Sequence, residues 1–289
     1  PGAMMLCVKN QVKLAFLSPS GRYIGSLEGE VKGNVLLRRT QYRLADDEPL
    51  ATHLASIFIA GKIANQRSVL ARYVRDYHPE GEAKELFREA LAQLRRQQML
   101  ALKQASRKDL LGVEGFAAST YFSLFSQLIR SAEFPFAGRS KRPPKDEVNA
   151  LLSFFYTLLA HDVRSALESV GLDPYVGFLH TDRPGRPSLA LDLMEELRAY
   201  LVDRFVITLI NRHQVVPSDF LPQGENGYLL QEDARKELLA LWQKRKKEEI
   251  THPFLQERVS IGLLPYIQSQ LLARYLRGDL DDYPVFLIS

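Results

Sequence analysis

Glu114 stands in the run Leu111-Gly112-Val113-Glu114-Gly115-Phe116-Ala117-Ala118, a carboxylate among small and apolar neighbours. Near a core boundary an ionised carboxylate is costly unless it is paired or holds a metal. The same residue could equally face solvent in the first turn of a helix, complementing the helix dipole. His180 closes the run Asp173-Pro174-Tyr175-Val176-Gly177-Phe178-Leu179-His180 and is followed by a loop over 181–187. A helix is expected to open at Ser188. On it Asp192 and Glu195 are three residues apart and share a face, Glu196 follows at four, and Arg198 is placed to neutralise some of the charge. A loop turning the chain between His180 and that helix could bring imidazole and carboxylates together. One imidazole with two or three carboxylates is a hard, oxygen-rich donor set, suited to Mn2+ or Mg2+ rather than zinc. Spacing does not rank Asp192 against Glu195.

His161-Asp162 offers a different chemistry, that of a histidine-aspartate metal phosphohydrolase, which would need His53 or His78 and a downstream Asp to converge on it. The remaining signals are cationic. Arg139, Lys141, Arg142 and Lys145 surround Pro143-Pro144 with no acid before Asp146, so they are candidate phosphate contacts. Lys62 and Arg67 flank Asn65-Gln66, Arg186 lies in the loop after His180, and Lys32, Arg38, Arg39 and Arg43 form a further group. The run Lys244–Lys247 is cancelled at once by Glu248 and Glu249 and reads as solvated surface. No GxGxxG, phosphate-binding P-loop, Gly-x-Ser-x-Gly or paired CxxC is present, which argues against nucleotide kinases, dinucleotide enzymes and hydrolases of that type.

These residues need elements to position them. Alternation of Val12, Leu14 and Phe16, a turn at 18–21, and breaks at Gly25, Gly29 and Gly33 before Val35-Leu36-Leu37 predict short strands over 11–43. That is too little to be stable alone. From Leu50 onward helical periodicity dominates, with helices expected over 114–130, 146–170, 188–210, 233–249 and 255–276, the last bent at Gly262 and Pro265. The expected fold class is α+β: an amino-terminal β-region over 1–45, a linker at 46–50, and a mostly α-helical catalytic domain over 51–289. Of the 289 residues 46% are hydrophobic and 25% charged, a globular balance that excludes disordered and collagen-like chains. The net charge of +4 permits a nucleic-acid partner without requiring one. A single cysteine, Cys7, makes no internal disulfide and suits a reducing, cytoplasmic setting. No run approaches the roughly 18 apolar residues of a membrane span. Pro1-Gly2-Ala3-Met4 reads as a cloning scar rather than a signal peptide.

Four segments occur together and in order: Gly112–Ala118, then Arg142-Pro143-Pro144-Lys145-Asp146-Glu147-Val148-Asn149-Ala150-Leu151-Leu152-Ser153, then Leu172–His180, then Ser188-Leu189-Ala190-Leu191-Asp192-Leu193-Met194-Glu195-Glu196-Leu197-Arg198. The set closely resembles the CRISPR-associated integrase family that inserts new spacers into the array. With Gly33-Asn34-Val35-Leu36-Leu37-Arg38-Arg39-Thr40-Gln41-Tyr42-Arg43 it looks most like the subtype I-C branch. The resemblance runs over nearly the whole chain from about Leu14. It implies that Glu114, His180 and the acid at Glu195 ligate a divalent metal, with Asp192 behind His180 or as an additional ligand. It implies a β-domain joined to a helical catalytic domain, homodimers that assemble with a small CRISPR-associated nuclease-like partner, and double-stranded and branched DNA as substrate. Family members carry further strands ahead of the point where this sequence begins, so the β-domain is expected in shortened form.

Overall fold

A computed structural model describes residues 2–10, 12, 14–17, 23–27 and 34–288. The expected turn at 18–21, the glycines Gly29 and Gly33 and the cation Lys32 lie outside the described residues. Among the described residues the expected strand run appears as an antiparallel pair of β1 (Leu14–Leu17) and β2 (Tyr23–Leu27), and a helix, α1 (Gly2–Lys9), precedes it. The segment Val35-Leu36-Leu37 is not a strand. It opens the helix α2 (Val35–Asp46), capped by the Asn34 side chain, which accepts from the Leu37 amide at 3.2 Å. Leu37 and Gln41 are buried and Leu36 is 74% exposed, so the burial recurs at helical spacing. A short apolar run is ambiguous between the two periods, and the cap decides it.

The expected linker at 46–50 is the junction of two helices. Asp47 ends α2 and its side chain accepts from the Leu50 amide at 3.0 Å, starting the 30-residue α3 (Glu48–Tyr77) with Pro49 in its first turn. Between Ala51 and Gln66 nearly every side chain of α3 is buried. It is a core helix wrapped by neighbours rather than an amphipathic surface one. Against it pack α4 (Gly81–Ala101) and α5 (Arg107–Ser123), and α6 (Phe125–Leu128) and α7 (Glu147–Ser169) follow. A nearly continuous helical stretch follows: α8 (Ser188–Leu193), α9 (Glu195–Arg198), a π turn (Ala199–Asp203) and α10 (Arg204–Asn211). The hairpin β3 (Phe220–Pro222) and β4 (Tyr228–Leu230) leads to α11 (Glu232–Lys246).

Two expected helices have different bounds. The helix expected over 114–130 begins at Arg107, where Ser106 caps it, and breaks after Ser123. The helix expected over 255–276 exists only as α12 (Leu264–Leu276). Ahead of it lies the hairpin of β5 (Glu249–Thr251) and β6 (Arg258–Ser260), turned by the buried His252, whose Nδ1 accepts from the Phe254 and Leu255 amides. The β3–β4 hairpin braces the cationic proline loop: the Tyr228 amide donates to the Pro144 carbonyl at 3.0 Å. Gly227 permits this approach. Its φ is +82°, and a Cβ there would lie 2.1 Å from that carbonyl oxygen.

Candidate active site

Asp192 organises the loop that carries His180. Fully buried, it accepts from the amides of Phe178 at 2.6 Å, Leu179 at 2.9 Å and His180 at 3.2 Å, and contacts the His180 ring at Nδ1. Both of its oxygens are thus engaged with the loop. The wrap is close enough to require Gly177, where a Cβ would meet the Asp192 carboxylate at 2.7 Å and the Ser188 backbone at 2.9 Å. From outside, α2 clamps the same loop. The Gln41 amide donates to the carbonyls of Asp173 and Val176 and accepts from the Asp173 amide, while Tyr42 donates to the Asp173 carboxylate at 2.9 Å. The segment read as a strand therefore supports the histidine loop as a helix.

Glu114 is the eighth residue of α5, not a residue of its first turn, which removes the helix-dipole reading. Its carboxylate contacts the ammonium of Lys62 from α3, and the same ammonium lies 2.9 Å from Glu195 Oε2. Arg198 holds the other Glu195 oxygen at 3.0 Å. Burial opposes ionisation of Glu195, but Arg198, Lys62 and His180 outweigh it and bring its pKa down to about 2. Lys62 is likewise opposed by burial and kept charged by Glu195 and Glu114, which raise its pKa. Glu195 Oε2 is buried and faces the Lys62 ammonium. Among the described residues no three His, Cys, Asp or Glu side chains converge closely enough to enclose an ion. Two carboxylates meet on an ammonium instead.

A cavity of about 480 Å³ opens beside this cluster, lined among others by Lys62, Glu114, Arg139, Lys141, Tyr156 and Arg198. The π turn brings Asp203 to its wall, a local irregularity of the kind found at functional sites. The Tyr156 hydroxyl donates to Asp203 at 2.5 Å, and both Arg139 and Arg198 lie over the Tyr156 ring. Burial raises Asp203 to about 6, against the lowering effect of the Tyr156 and Tyr121 hydroxyls and of the two arginines. An acid whose pKa is raised by folding stabilises the fold most when protonated. This contribution is full below its ordinary value near 3.8 and lost as pH rises through about 6. Asp203→Asn is therefore expected to gain on wild type, by on the order of 3 kcal/mol, between pH 4 and pH 7 in urea unfolding. Parallel stability curves for the two proteins would contradict this.

Not every cation read as a DNA contact is free. Lys62 is buried in the acidic cluster, and Arg139 turns inward to Asn149 Oδ1 at 2.8 Å and Ser153 Oγ at 3.1 Å. Lys141 lines the cavity, Arg142 and Lys145 are exposed, and Arg67 and Arg186 are half-buried. The phosphohydrolase reading does not assemble: Asp162 gives both oxygens to Lys246, His53 pairs with Asp282, and His78 ends α3 in the left-handed conformation. Sequence reasoning missed a second buried network. Glu196 accepts from Gln268 at 3.0 Å, the Phe286 amide at 2.6 Å and Tyr283, and Asn65 donates to the carbonyls of Glu196 and Phe286. Burial raises Glu196 to about 7. This network seals the carboxy-terminal segment against α3 and fixes the backbone next to Glu195. The signal available was the polar trio Lys62, Asn65 and Gln66 inside an otherwise apolar stretch.

The family model described as CRISPR associated protein Cas1 matches residues 1–244. The chain belongs to the Cas1 family. As a Cas1 chain it is a CRISPR-associated endonuclease, and it is 53% identical over 289 residues to a CRISPR-associated endonuclease Cas1 of Rhodospirillum rubrum, covering 98% of this chain and 83% of that one. The Cas1 fold also aligns with a casposase bound to an integration product at a TM-score of 0.81 and 24% identity, covering 98% of this chain and 76% of that one. A partial Cas6-RT-Cas1–Cas2 complex contains a chain similar at 25% identity and a TM-score of 0.78, with 99% and 83% covered. No described helix of this Cas1 chain is long and apolar enough to cross a membrane.

Proposed function

We propose that Glu114, His180 and Glu195 hold one divalent cation, Mn2+ or Mg2+, and that the helical body from Asn34 onward uses it to cut and join DNA, inserting a spacer end by attack of its 3′-hydroxyl on a phosphodiester. The observation that carries this reading is the convergence of Glu114 and Glu195 on one cation, with Glu195 Oε2 buried. The donor chemistry fits. Asp192 engages His180 Nδ1, which leaves Nε2 as the ring nitrogen free to bind, and this orients the ring as a carboxylate behind a metal-ligating histidine does. When bound, the ion would stabilise charge on the phosphoryl oxygens or make the attacking hydroxyl more acidic; water in place of the hydroxyl gives cleavage.

The chain's own groups do the rest. Binding an ion requires the Lys62 ammonium to leave the gap, which its flexible four-carbon stem allows. It then adds to the charge of the cavity it already lines, together with Lys141 and Arg198. Arg198 stays paired with Glu195 and keeps that acid ionised. Arg142 and Lys145, exposed on the braced loop, contact the phosphates of double-stranded or branched DNA, and Arg67 and Arg186 extend this surface. Assembly with a small Cas2-type partner is supported by the similar chain in a solved Cas1–Cas2 complex. Homodimers and the subtype I-C affiliation rest on the ordered motifs, including 34–43 on α2.

Reversing the charge of Arg142 and Lys145 together is expected to flatten the slope of log K against log salt by about 1 to 2 units, with little dependence on DNA sequence. Fluorescence anisotropy over a salt series reads it. An unchanged slope means that this loop does not touch the phosphates.

A further inference from the structure

Glu195 and Glu196 are neighbours on α9 with different partners. Glu195 meets the cations beside the cavity, whereas Glu196 meets the segment 283–288. The helix α9 is one turn of four residues that runs straight into the π turn, where the i→i+4 ladder gives way to i→i+5. Its own hydrogen bonds fix the backbone of Glu195 less firmly than those of a long helix would.

Glu196 supplies the anchor. Its Oε1 accepts from Gln268 Nε2 at 3.0 Å and from the Tyr283 hydroxyl, and its Oε2 accepts from the Phe286 amide at 2.6 Å. All four residues are buried. Asn65 ties the same point to α3. Its side-chain nitrogen donates to the carbonyls of Glu196 at 2.6 Å and Phe286 at 2.8 Å, and its oxygen accepts from the Ile288 amide at 2.9 Å. Asn65 stands three residues after Lys62, and α5, which carries Glu114, packs on the same helix. The bonds that hold 283–288 therefore also set Glu195 against the elements that bear Lys62 and Glu114. Gly61 shows how close the fit is. A Cβ there would lie 2.2 Å from Val285 Cγ2 and 3.6 Å from Glu196 Cβ. Glycine in mid-helix costs helix stability, and here it lets Val285 approach where one methyl group would not fit. Of the described residues that line the cavity, none belongs to 283–288.

We propose that the segment 283–288 is a positioning element of the active site: through Glu196 and Asn65 it sets the place of the Glu195 carboxylate relative to Glu114 and His180, without itself touching DNA. The proposal rests on the metal-site reading above. Metal–ligand distances hold to about 0.2 Å, so a small shift of α9 is enough to weaken a shared ion. Groups that orient ligands from behind are typically worth about 10- to 100-fold in metal affinity or activity.

The test forces the slot open and then relieves it. Gly61→Ala puts a methyl group where Val285 Cγ2 lies. Gly61→Ala/Val285→Ala gives that methyl room, because the nearest remaining atom is the Cβ of residue 285 at 3.5 Å, an ordinary contact. Gly61→Ala should raise the Mn2+ concentration for half-maximal cleavage by about tenfold or more. Its affinity for branched DNA, read by anisotropy without divalent ions, should not change. Hydrogen exchange of the amides over 195–202, measured without metal, should quicken. The double variant should recover most of both losses. If Gly61→Ala does not fold, Tyr283→Phe takes its place, since it removes the hydroxyl from Glu196 and keeps the ring against Phe58. It should move both readouts the same way, by less.

Gly61→Ala with wild-type Mn2+ dependence and exchange overturns the proposal. So does a double variant as impaired as the single one, which would place the effect in α3 itself. A variant that loses only melting temperature, with its Mn2+ dependence intact well below that temperature, marks the segment as merely structural and overturns the proposal too. Failure of the metal-site reading shows separately, as a wild type that gives no heat of Mn2+ binding in calorimetry. Exchange over 195–202 that quickens in Gly61→Ala and returns in the double variant then still upholds the positioning of α9, and equal exchange overturns it.

Discussion

Glu195→Gln is expected to lower divalent-dependent cleavage of branched DNA by on the order of 10³-fold or more, the upper end for loss of one charge-stabilising group. Gln keeps the shape and removes a charge that Arg198, Lys62 and His180 hold ionised down to about pH 2. Glu114→Gln and His180→Ala should fail comparably. Asp192→Asn should cost less, on the order of 10- to 100-fold, because it disturbs the orientation of His180 rather than removing a ligand. An amide at 192 still accepts hydrogen bonds at one oxygen but turns its NH2 toward the backbone donors that Asp192 now satisfies. Single-turnover cleavage across a Mn2+ titration separates the four variants. A dead Asp192→Asn beside a Glu195→Gln of near-normal rate and metal affinity would reverse the two roles.

The largest effect on stability is expected at Lys62. Lys62→Met leaves Glu195 and Glu114 without their shared cation, and removing one partner of a buried ion pair costs on the order of 3 to 5 kcal/mol. Glu114 is partly open to solvent and Arg198 still neutralises Glu195, so the lower figure is the better expectation. A divalent ion can replace the ammonium. Millimolar Mn2+ should therefore raise the melting temperature of Lys62→Met more than that of wild type, since an ion that binds only the folded state stabilises by mass action and no longer competes with Lys62. Thermal unfolding with and without Mn2+ measures both. Equal shifts in the two proteins would mean that the lysine and the ion do not share a place.

Much of this site was legible in the sequence, and the part that was not has a physical reason. His180 and the acids at 192 and 195 were readable because three-residue spacing on a helix puts both acids on one face, and the structure buries both. That Asp192 takes the histidine loop and Glu195 the cations was implied by the family resemblance and not by the spacing, because the choice depends on the turn at Gly177, a tertiary contact. The partner of Glu114 and Glu195 was misread: Lys62 looked like a surface cation, yet α3 is buried on nearly all sides between Ala51 and Gln66 and carries the lysine inward. The strand reading of 35–37 failed because three apolar residues fit either period, and the Asn34 cap and the buried Gln41 settle it. The hairpin at 249–260 was hidden by apolar spacing that continues into α12. The carboxy-terminal seal on Glu196 joins residues some ninety positions apart, beyond the reach of any local pattern.

The most direct measurement is an anomalous difference map from crystals of the protein soaked in Mn2+. The account predicts one strong peak in contact with the carboxylates of Glu114 and Glu195 and with His180 Nε2, the Lys62 ammonium having moved out of the gap. A map without a peak there, with Lys62 still bridging Glu114 and Glu195 at saturating Mn2+, would contradict it.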